Sequence, residues 1–398
     1  MWDKTPLKAT SGEYNPYFES MKQDLPEDKP KIVVTGTRGI PNIMGGVETH
    51  CEELFPRIAA KGYDVTVIRR KSYVRDNFHK FSGVDLVDID APKSKSFEAI
   101  IHTWRAIWKA KKLHARILHI HACGPALLTP LARMLGLKVV FTHHGQDYDR
   151  EKWGWAARLM LRLGEAAGAL FANEVIVISQ VIWNLLAKKY HIQGKMHLIY
   201  NGVSKAIEVS HPLYFEELGI EEGKYILGMC RFAPEKNLHH LIEAFSKIDS
   251  HGCKLVIAGD SDFEDDYSIR LKRMAYERGV VLTGFIKGKR LQSLLNHCRC
   301  YVLPSSHEGL PIALLEAMSY GAKIIVSDIP ANKEVGLPEN HYFHCGDIPE
   351  LVAKLQENVD LPYEKKTYDM TKYNWDHIAN QVSAVYDTLS KKNLKLKT

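Results

Sequence analysis

Short runs rich in valine and isoleucine alternate with amphipathic helical stretches from residue 31 to about residue 360. Apolar runs bounded by turn residues are typical of buried parallel strands, and the helical stretches between them are typical of crossover helices. The alternation therefore predicts repeated βαβ units around parallel sheets, an α/β fold. Because 398 residues exceed what one such core usually covers, two domains are expected.

The strand pattern divides into two series at a polar connector over residues 204–212. The first series is predicted to contain seven strands: Lys31–Thr35, Tyr63–Ile68, Val84–Val87, Ile117–Ile120, Lys138–Thr142, Val175–Ile178 and His197–Ile199. The second is predicted to contain five: Tyr225–Met229, Lys254–Ile257, Val280–Leu282, Cys300–Leu303 and Lys323–Val326.

These two series predict two Rossmann-like, doubly wound lobes that face a central cleft. We place an N-terminal extension at residues 1–30, a first lobe at 31–207 and a second lobe at 208–370. A last helix within 371–398 is expected to return to the first lobe. Ligands of doubly wound sheets bind at the carboxyl ends of the strands, so the site is expected in the cleft.

Composition limits the partners of the chain. The formal charge of +6 favours an anionic partner, such as a phosphorylated substrate or an anionic membrane surface. No nucleic-acid-binding motif accompanies the charge, so nucleic acid is not expected. No run of about 20 apolar residues is present to span a bilayer. Seven cysteines without paired spacing indicate reduced thiols and a cytoplasmic location.

Glycines follow the first predicted strand and precede a helix. Gly45 and Gly46 open that helix, where a phosphate can approach backbone N–H groups and the positive end of the helix dipole. The segment is not a GxGxxG motif, and Ile68, Arg69 and Arg70 stand where a dinucleotide-binding lobe carries an acidic residue. A nicotinamide cofactor is therefore not predicted.

Two charged segments end strands of the second lobe. Glu308 lies just before a helix and Glu316 lies within it, so their carboxylates could accept hydrogen bonds from sugar and ribose hydroxyls. The backbone amides of Gly309 and Leu310 are expected to face a phosphate. Upstream, the segment from Arg231 to Asn237 supplies Arg231 and Lys236, which could neutralise a diphosphate and stabilise its departure as a leaving group.

These motifs resemble those of the family-4 retaining glycosyltransferases, which have the GT-B fold. Glu308–Glu316 is similar to their E-x7-E motif, and Arg231–Asn237 to their R-x-x-x-E-K-N segment. Asn201–Val203 resembles their N-G-V element, and Gly259–Asp260 the turn after the second strand of the second lobe. The resemblance spans residues 31–390 and is closest to bacterial rhamnosyltransferases over residues 36–48.

The resemblance implies a role for each matched residue. Gly45 and Gly46 would contact the donor diphosphate, and Arg231 and Lys236 would bind its phosphates. It further implies that Glu308 contacts the donor sugar, that Glu316 contacts the ribose and that His121 faces the sugar. His143–Gly145 is similar to a strand end that lines the same cleft, whereas His307 and Leu310 stand where the family often has bulky aromatics. The candidate catalytic residues are His121, Arg231, Lys236 and Glu308.

The implied activity is retaining transfer of a sugar from a nucleotide diphosphate sugar to a glycan or lipid-linked oligosaccharide, in bacterial surface polysaccharide assembly. Neither a cofactor nor a metal ion is expected. Zinc held by His119, His121, His143 and His144 is disfavoured because no carboxylate or cysteine joins them at ligand spacing. Two alternatives remain: a sugar-nucleotide epimerase of the same fold, and a catalytically silent membrane-associated scaffold.

Three features of the first lobe allow more than one interpretation. Only one of His119 and His121 is expected to point into the cleft. Asp147 and Asp149 are candidates for acceptor binding or proton handling, or they cap a loop. The stretch from Phe97 to Arg116 carries two tryptophans among basic residues. It fits a helix on the inner face of the cell membrane, and equally an apolar stripe packed on the sheet. A second basic and aromatic group contains Trp153, Trp155, Arg158 and Arg162.

Overall fold

The computed structural model describes residues 29–92, 98–146, 148 and 154–391. Two sheets of parallel strands form the centres of two lobes, as the alternating pattern predicts. The predicted N-terminal extension lies outside the described residues except for its last two positions. Of the candidates in the first lobe, Asp147, Asp149, Trp153 and Phe97 also lie outside them.

The sheet of the first lobe has eight strands in the order β3-β4-β2-β1-β5-β6-β7-β8, parallel except for the β3–β4 pair. Its strands are β1 Lys31–Thr35, β2 Asp64–Arg70, β3 Lys80–Phe81, β4 Val84–Ile89, β5 Ile117–His121, β6 Lys138–His143, β7 Glu174–Val177 and β8 Met196–Leu198. Its helices are α1 Gly46–Ala60, α2 Glu98–Lys112, α3 Cys123–Ala126, α4 Thr129–Met134, α5 Trp155–Phe171 and α6 Gln180–Tyr190.

The sheet of the second lobe has six parallel strands in the order β11-β10-β9-β12-β13-β14. Its strands are β9 Tyr225–Met229, β10 Lys254–Ala258, β11 Val281–Gly284, β12 Cys300–Leu303, β13 Lys323–Ser327 and β14 Tyr342–Phe343. Its helices are α7 Pro212–Leu218, α8 Leu238–Phe245, α9 Asp266–Glu277, α10 Gly288–His297, α11 Ile312–Ser319, α12 Pro330–Lys333 and α13 Ile348–Asp360.

The last helix, α14 at Trp375–Lys391, packs on the first lobe beside α1. Its apolar side chains join a buried layer with α1 and the outer face of β1 and β2. Asp376 of α14 accepts a hydrogen bond from Arg57 Nε at 3.1 Å, and Tyr386 Oη lies 2.6 Å from His119 Nδ1. The chain therefore crosses between the lobes twice, once before α7 and once before α14.

The predicted fold class is confirmed, and all twelve predicted strands are present with no end displaced by more than two residues. The two strands that the sequence did not indicate, β3 and β14, are two residues long and lie at sheet edges. Such pairs are too short to show an apolar run. Among the described residues, no helix combines the length and the hydropathy needed to cross a bilayer.

Candidate active site

Loops from the carboxyl ends of strands in both sheets meet in a cleft between the lobes. Ion pairs already join them there: Arg38 Nη1 lies 2.5 Å from Asp262 Oδ1, and Lys287 Nζ lies 2.7 Å from Glu52 Oε2. Arg38 follows β1 and Asp262 follows β10, so one strand of each sheet delivers a charged side chain to the same point. The lobes are therefore in contact around the expected ligand position.

The glycine-rich loop after β1 is organised by a buried ion pair. Arg38 donates to Glu48 through Nε at 3.1 Å and Nη2 at 3.0 Å. Burial alone would raise the pKa of Glu48, but the Arg38 guanidinium outweighs it and lowers the pKa to about 2. Gly45 has φ +146°, and a β-carbon there would lie 2.1 Å from Glu48 Oε2. A β-carbon on Gly46 would meet nothing within 4 Å, so its backbone is approachable.

Two loops of the second lobe bring Lys236 to Glu308. The Lys236 Nζ lies 2.5 Å from Glu308 Oε1, and both side chains are largely buried. Ser306 N donates to Glu235 O at 2.9 Å, and Asn237 Nδ2 donates to Pro304 O at 3.1 Å. These bonds hold the two loops in register, which is why residues 72 positions apart meet.

Arg231 lies at the same edge, at the end of β9. Its Nη1 lies 3.1 Å from Asp262 Oδ2, so Asp262 contacts guanidinium groups of both lobes. The guanidinium of Arg231 and the ammonium of Lys236 therefore both face the cleft, each held by one carboxylate. An anion that entered the cleft would meet two cations placed by rigid strand ends.

Gly309 and Leu310 bring the second lobe against the first lobe and the linker. A β-carbon on Gly309 would lie 1.9 Å from His144 O, so only glycine allows this contact. Leu310 O accepts a hydrogen bond from Asn201 Nδ2 at 2.8 Å. Helix α11 begins two residues later, at Ile312. The positive end of its dipole thus points toward the contact between the lobes.

Glu316 lies on α11, where Glu53 and Lys287 are its charged neighbours. Burial raises its pKa to about 7, and the nearby Glu53 carboxylate adds to the shift, whereas Lys287 opposes it. This carboxyl group is poised to change its charge near neutral pH. Hydrogen-bond donors from a ligand would favour the ionised form.

Four histidines cluster on the first-lobe side of the cleft. His121 Nδ1 lies 2.8 Å from His144 Nε2, and the ring of His50 meets that of His144 edge-on at 4.9 Å. Burial holds the pKa of His50 at about 4 and those of His121 and His144 well below the ordinary value. These imidazoles are thus neutral at pH 7 and can donate and accept hydrogen bonds but carry no charge. Both ring nitrogens of His119 are engaged, by Tyr386 Oη and Thr142 Oγ1 at 2.6 Å each, so the expectation that only one of His119 and His121 points into the cleft stays a prediction. Its premise that the two side chains alternate was wrong. Residues two apart share a strand face, and the two rings stack at 4.3 Å.

Sequence profiles of two glycosyltransferase families match this chain. The profile described as "Glycosyltransferase Family 4" matches residues 44–206, and that described as "Glycosyl transferases group 1" matches residues 211–375. The two matches follow the two lobes and are consistent with the motifs at Arg231 and Glu308. The chain belongs to glycosyltransferase family 4. The predicted recognition is thereby confirmed at the level of the family.

Curated relatives of this glycosyltransferase align over most of its length. An uncharacterised glycosyltransferase of Methanocaldococcus jannaschii is 25% identical over 89% of this chain and 97% of its own. The UDP-Gal:alpha-D-GlcNAc-diphosphoundecaprenol alpha-1,3-galactosyltransferase of Escherichia coli is 25% identical over 76% of this chain and 81% of its own. The O-antigen chain mannosyltransferase RfbU of Salmonella typhimurium is 25% identical over 53% of this chain and 58% of its own.

Solved structures share the fold at low sequence identity. Sucrose-phosphate synthase from Thermosynechococcus elongatus has a TM-score of 0.75 at 18% identity, covering 92% of this chain and 100% of its own. The Anabaena protein HepE, in complex with UDP and glucose, has a TM-score of 0.68 at 17% identity, also covering 92% of this chain and 100% of its own. These likenesses support the GT-B architecture of this glycosyltransferase.

Within the part of the chain that the structure describes, two side-chain groups could hold a metal ion. In His50, His121 and His144, and separately in Cys123, His143 and Glu165, the ligand atoms lie within 4.8 Å of one another. The second group has another explanation, because His143 Nε2 donates to Glu165 Oε2 at 3.0 Å and Lys189 Nζ lies 2.7 Å from Glu165 Oε1. Burial would raise the pKa of Glu165, but His143 and Lys189 lower it to about 2.

Sequence reasoning missed His50, Arg38 and Asp262. His50 Nδ1 lies 2.9 Å from Asn201 Oδ1, a partner 151 residues away, so nothing near His50 in the sequence announces the contact. Arg38 stands inside the glycine-rich segment, and its charge beside glycines was a usable signal. Asp262 follows the Gly259–Asp260 turn among other acidic residues, and only the folded loop distinguishes it from them.

Proposed function

We propose that this glycosyltransferase moves a hexosyl or deoxyhexosyl group from a nucleotide diphosphate sugar to a lipid-linked glycan. Transfer retains the configuration at the anomeric carbon and needs no metal ion or cofactor. One observation carries the proposal: Arg231 and Lys236 present two cations from one loop at the cleft edge, where the diphosphate of a donor would lie. On the first lobe, a β-carbon on Gly46 would meet nothing within 4 Å, which leaves room for a phosphate before its backbone.

A uridine diphosphate sugar is the first donor to test. The Escherichia coli relative is named for UDP-galactose, and the Anabaena fold neighbour was solved with UDP and with UDP-glucose. In our proposal Glu316 accepts the ribose hydroxyls, and Glu308 and His121 contact the sugar. The neutral imidazole of His121 would hydrogen-bond a hydroxyl without attracting the phosphates.

The reaction needs little acid–base chemistry from side chains. The acceptor hydroxyl oxygen forms a bond to the anomeric carbon as the bond from that carbon to the β-phosphate oxygen breaks. The hydroxyl proton passes to the departing diphosphate on the same face, so configuration is retained and all charges balance. Arg231, Lys236 and the α11 terminus stabilise the negative charge that develops on the leaving group. Contact between the lobes excludes water that would hydrolyse the donor.

A lipid-linked acceptor fits the outer surface of the first lobe. Helix α2 buries Ala106, Ile107 and Ala110 against the sheet but leaves Trp104 48% and Trp108 43% exposed. The tryptophans border a groove of about 290 Å³ whose lining includes basic side chains: Arg105, Lys109 and Lys112. The stripe with the tryptophans is therefore the outer face of α2, not the face packed on the sheet.

Helix α5 extends this surface. Trp155, Leu159 and Leu163 recur every four residues and are exposed, and Arg158 and Arg162 lie beside them. Helix α3 contacts both α2 and α5, which places the two exposed faces on the same side of the sheet. Tryptophan among basic residues suits the interface of an anionic bilayer. We propose peripheral docking there, on the cytoplasmic side, which would bring a lipid-linked acceptor to the cleft.

The activity is tested with UDP-glucose and UDP-galactose, each with and without undecaprenyl-diphosphate-linked GlcNAc, in the presence of EDTA. We expect UDP release that requires the acceptor, and a product whose new linkage is α by NMR. A β linkage would contradict retention. Conversion of the donor without acceptor would indicate an epimerase, and no binding of any nucleotide sugar by folded protein would indicate a silent scaffold.

The membrane surface is tested by co-sedimentation with vesicles containing phosphatidylglycerol. We expect Trp104→Ala with Trp108→Ala to reduce binding several-fold, because two interfacial tryptophans are lost. Tyr276→Ala is the matched control, since Tyr276 is 82% exposed but lies on the second lobe. Equal binding by the two variants would contradict this docking surface. If the wild type binds neutral vesicles as well as anionic ones, the basic side chains do not contribute to binding.

A further inference from the structure

The contact between Arg38 and Asp262 has the form of an occupied anion site. Asp262 presents one carboxylate oxygen to Arg38 of the first lobe, at 2.5 Å, and the other to Arg231 of the second lobe, at 3.1 Å. A phosphate group between the two arginines would be held in the same manner, because carboxylate and phosphate oxygens both accept bidentate charge-assisted hydrogen bonds.

Arg38 is oriented for such a ligand by its other contacts. Glu48 accepts from Nε and Nη2, and Met44 O accepts from Nη2 at 2.5 Å. These bonds fix one edge of the guanidinium and turn Nη1 toward Asp262. The Tyr73 ring lies under the group, with its centroid 5.4 Å from Arg38 Cζ. An arginine held on three sides can exchange one partner without losing its position.

The loop that carries Asp262 is fixed at both ends and reaches across the cleft between them. Gly259, at φ +135°, lies where a β-carbon would be 2.0 Å from Cys230 O, and Asp265 caps α9. Between these points Phe263 meets the Tyr73 ring edge-on at 5.7 Å while remaining 63% exposed. Asp262 and Phe263 thus touch the first lobe from one short hinge-like segment.

The charges of this cluster balance only while Asp262 is in place. Arg38 and Arg231 supply two positive charges, and Glu48 and Asp262 supply two negative ones. Glu48 accepts three hydrogen bonds from Arg38, one of them from its backbone N–H, and is nearly inaccessible to solvent. If Asp262 swings outward, one positive charge is uncompensated beside Gly45 and Gly46, and an anion of the donor can replace the carboxylate.

We propose that Arg38 is a phosphate-binding residue of the donor site. In the free protein the Asp262 carboxylate occupies the position of the phosphate, and the donor diphosphate displaces it on binding. The inference rests on the proposed nucleotide-sugar donor. It adds to that function a residue from the first lobe and an order of events. Because the diphosphate must compete with a tethered carboxylate, weak anions such as free phosphate would be excluded better than a donor with several contacts.

The test compares wild type, Asp262→Asn and Arg38→Gln for binding of inorganic pyrophosphate and of UDP by calorimetry. Asp262→Asn keeps the size of the side chain and removes its charge, so both ligands should bind about three- to tenfold more tightly. Arg38→Gln should bind both at least tenfold more weakly. Asp266→Asn is the matched control, because it makes the same charge change at the first residue of α9, outside the cluster.

Unchanged pyrophosphate affinity in Asp262→Asn would overturn the inference even if Arg38→Gln fails to fold. Hydrogen exchange gives a second readout: the amides of residues 260–265 should exchange faster when UDP binds to wild type, and slower exchange would contradict displacement. If pyrophosphate follows the expected order while UDP and UDP-sugars do not bind, the proposed donor is wrong and the anion site stands.

Discussion

At the scale of single residues, the site depends on carboxylates whose environments differ. Glu48 is held ionised by Arg38, whereas Glu316 is held near its titration point by burial and by Glu53. Two glutamates thus differ in charge: Glu48 stays ionised, whereas the charge of Glu316 changes near neutral pH. The variable one is the one proposed to bind the ribose.

Donor affinity should therefore depend on pH through Glu316. With a pKa of about 7 in the free protein, Glu316 is protonated at pH 6, and a ligand that needs the carboxylate must displace that proton. We expect the affinity for UDP-glucose to rise about tenfold from pH 6 to pH 8, because the ionised fraction of Glu316 rises from about one tenth to about nine tenths across its pKa. Titration calorimetry measures it, and the donor diphosphate itself carries no proton in this range.

The control for this prediction is Glu316→Gln, which keeps the shape and cannot titrate. Its affinity should be weaker than that of wild type at pH 8 and independent of pH. The variant should also be the more stable one above pH 7. There the wild-type fold bears a buried charge that the unfolded chain carries freely, so the wild type loses stability as pH rises between about 4.5 and 7. If the affinity of the variant still depends on pH, a group other than Glu316 causes the pH dependence.

Lys236 tests the electrostatic stabilisation of the leaving group. Replacing it by methionine removes a cation 2.5 Å from Glu308 and leaves that carboxylate unpaired beside the diphosphate. We expect kcat to fall by roughly 10²–10³, the usual effect of losing one group that stabilises developing charge. Lys333→Met serves as the comparison, because Lys333 is in an exposed ion pair with Glu339 and should leave kcat unchanged. A loss confined to KM would contradict a role in the transition state.

At the scale of elements, α14 supports the cleft from behind. Trp375, the first residue of α14, lies against Gly202, where a β-carbon would be 2.4 Å from the indole, and its ring meets that of His50 edge-on at 5.5 Å. Helix α14 thereby fixes the linker and a histidine of the site. The two segments in which the chain crosses between the lobes therefore contact each other, through Gly202 and Trp375.

Trp375→Ala should therefore cost both stability and activity. Removing a buried tryptophan that is 3% exposed is expected to lower the free energy of unfolding by about 3–5 kcal/mol, and the His50 ring would lose its support. Chemical denaturation and a transfer assay at low temperature measure the two effects. Trp104→Ala, on the exposed face of α2, should change stability by no more than about 0.5 kcal/mol. Equal losses in the two variants would contradict the assignment.

At the scale of the whole molecule, the lobes can meet only because small residues line the contact. Gly309 approaches His144 O so closely that any side chain would separate the lobes there, and Gly145 lies opposite, where a β-carbon would be 3.5 Å from Gly309 Cα. Closure therefore depends on backbone-to-backbone contact beside the proposed sugar position.

Gly309→Ala should keep the fold but prevent closure. A β-carbon 1.9 Å from a backbone oxygen cannot be accommodated without moving one lobe, whereas the sheets themselves are untouched. We expect transfer to fall at least a hundredfold while UDP binding to the second lobe weakens much less, and small-angle scattering should show a larger radius of gyration with UDP than wild type has. Gly194→Ala, where a β-carbon would meet nothing within 4 Å and φ is not in the left-handed region, controls for the added methyl. Wild-type scattering from Gly309→Ala would contradict the mechanism.

Local pattern determined the fold class and much of the site. Apolar strands, helix starts and the glycines between them follow from short-range preferences, so twelve strands and the loops with Arg231, Lys236, Glu308 and Gly45 could be predicted from sequence. These residues lie in loops that follow strands, and parallel strands present their carboxyl ends at one edge. The family resemblance added roles to the same positions.

The tertiary structure alone decided which side chains meet and which charges they carry. Asp262 reaches Arg38, His50 reaches Asn201 and Trp375 reaches Gly202, pairs from different strands or lobes that no local spacing relates. The raised pKa of Glu316 likewise comes from burial, which only packing creates. The sequence alone determined the strands and helices, because the interactions that form them are local. The contacts in the cleft were visible only in the structure, because they join residues that are far apart in the chain.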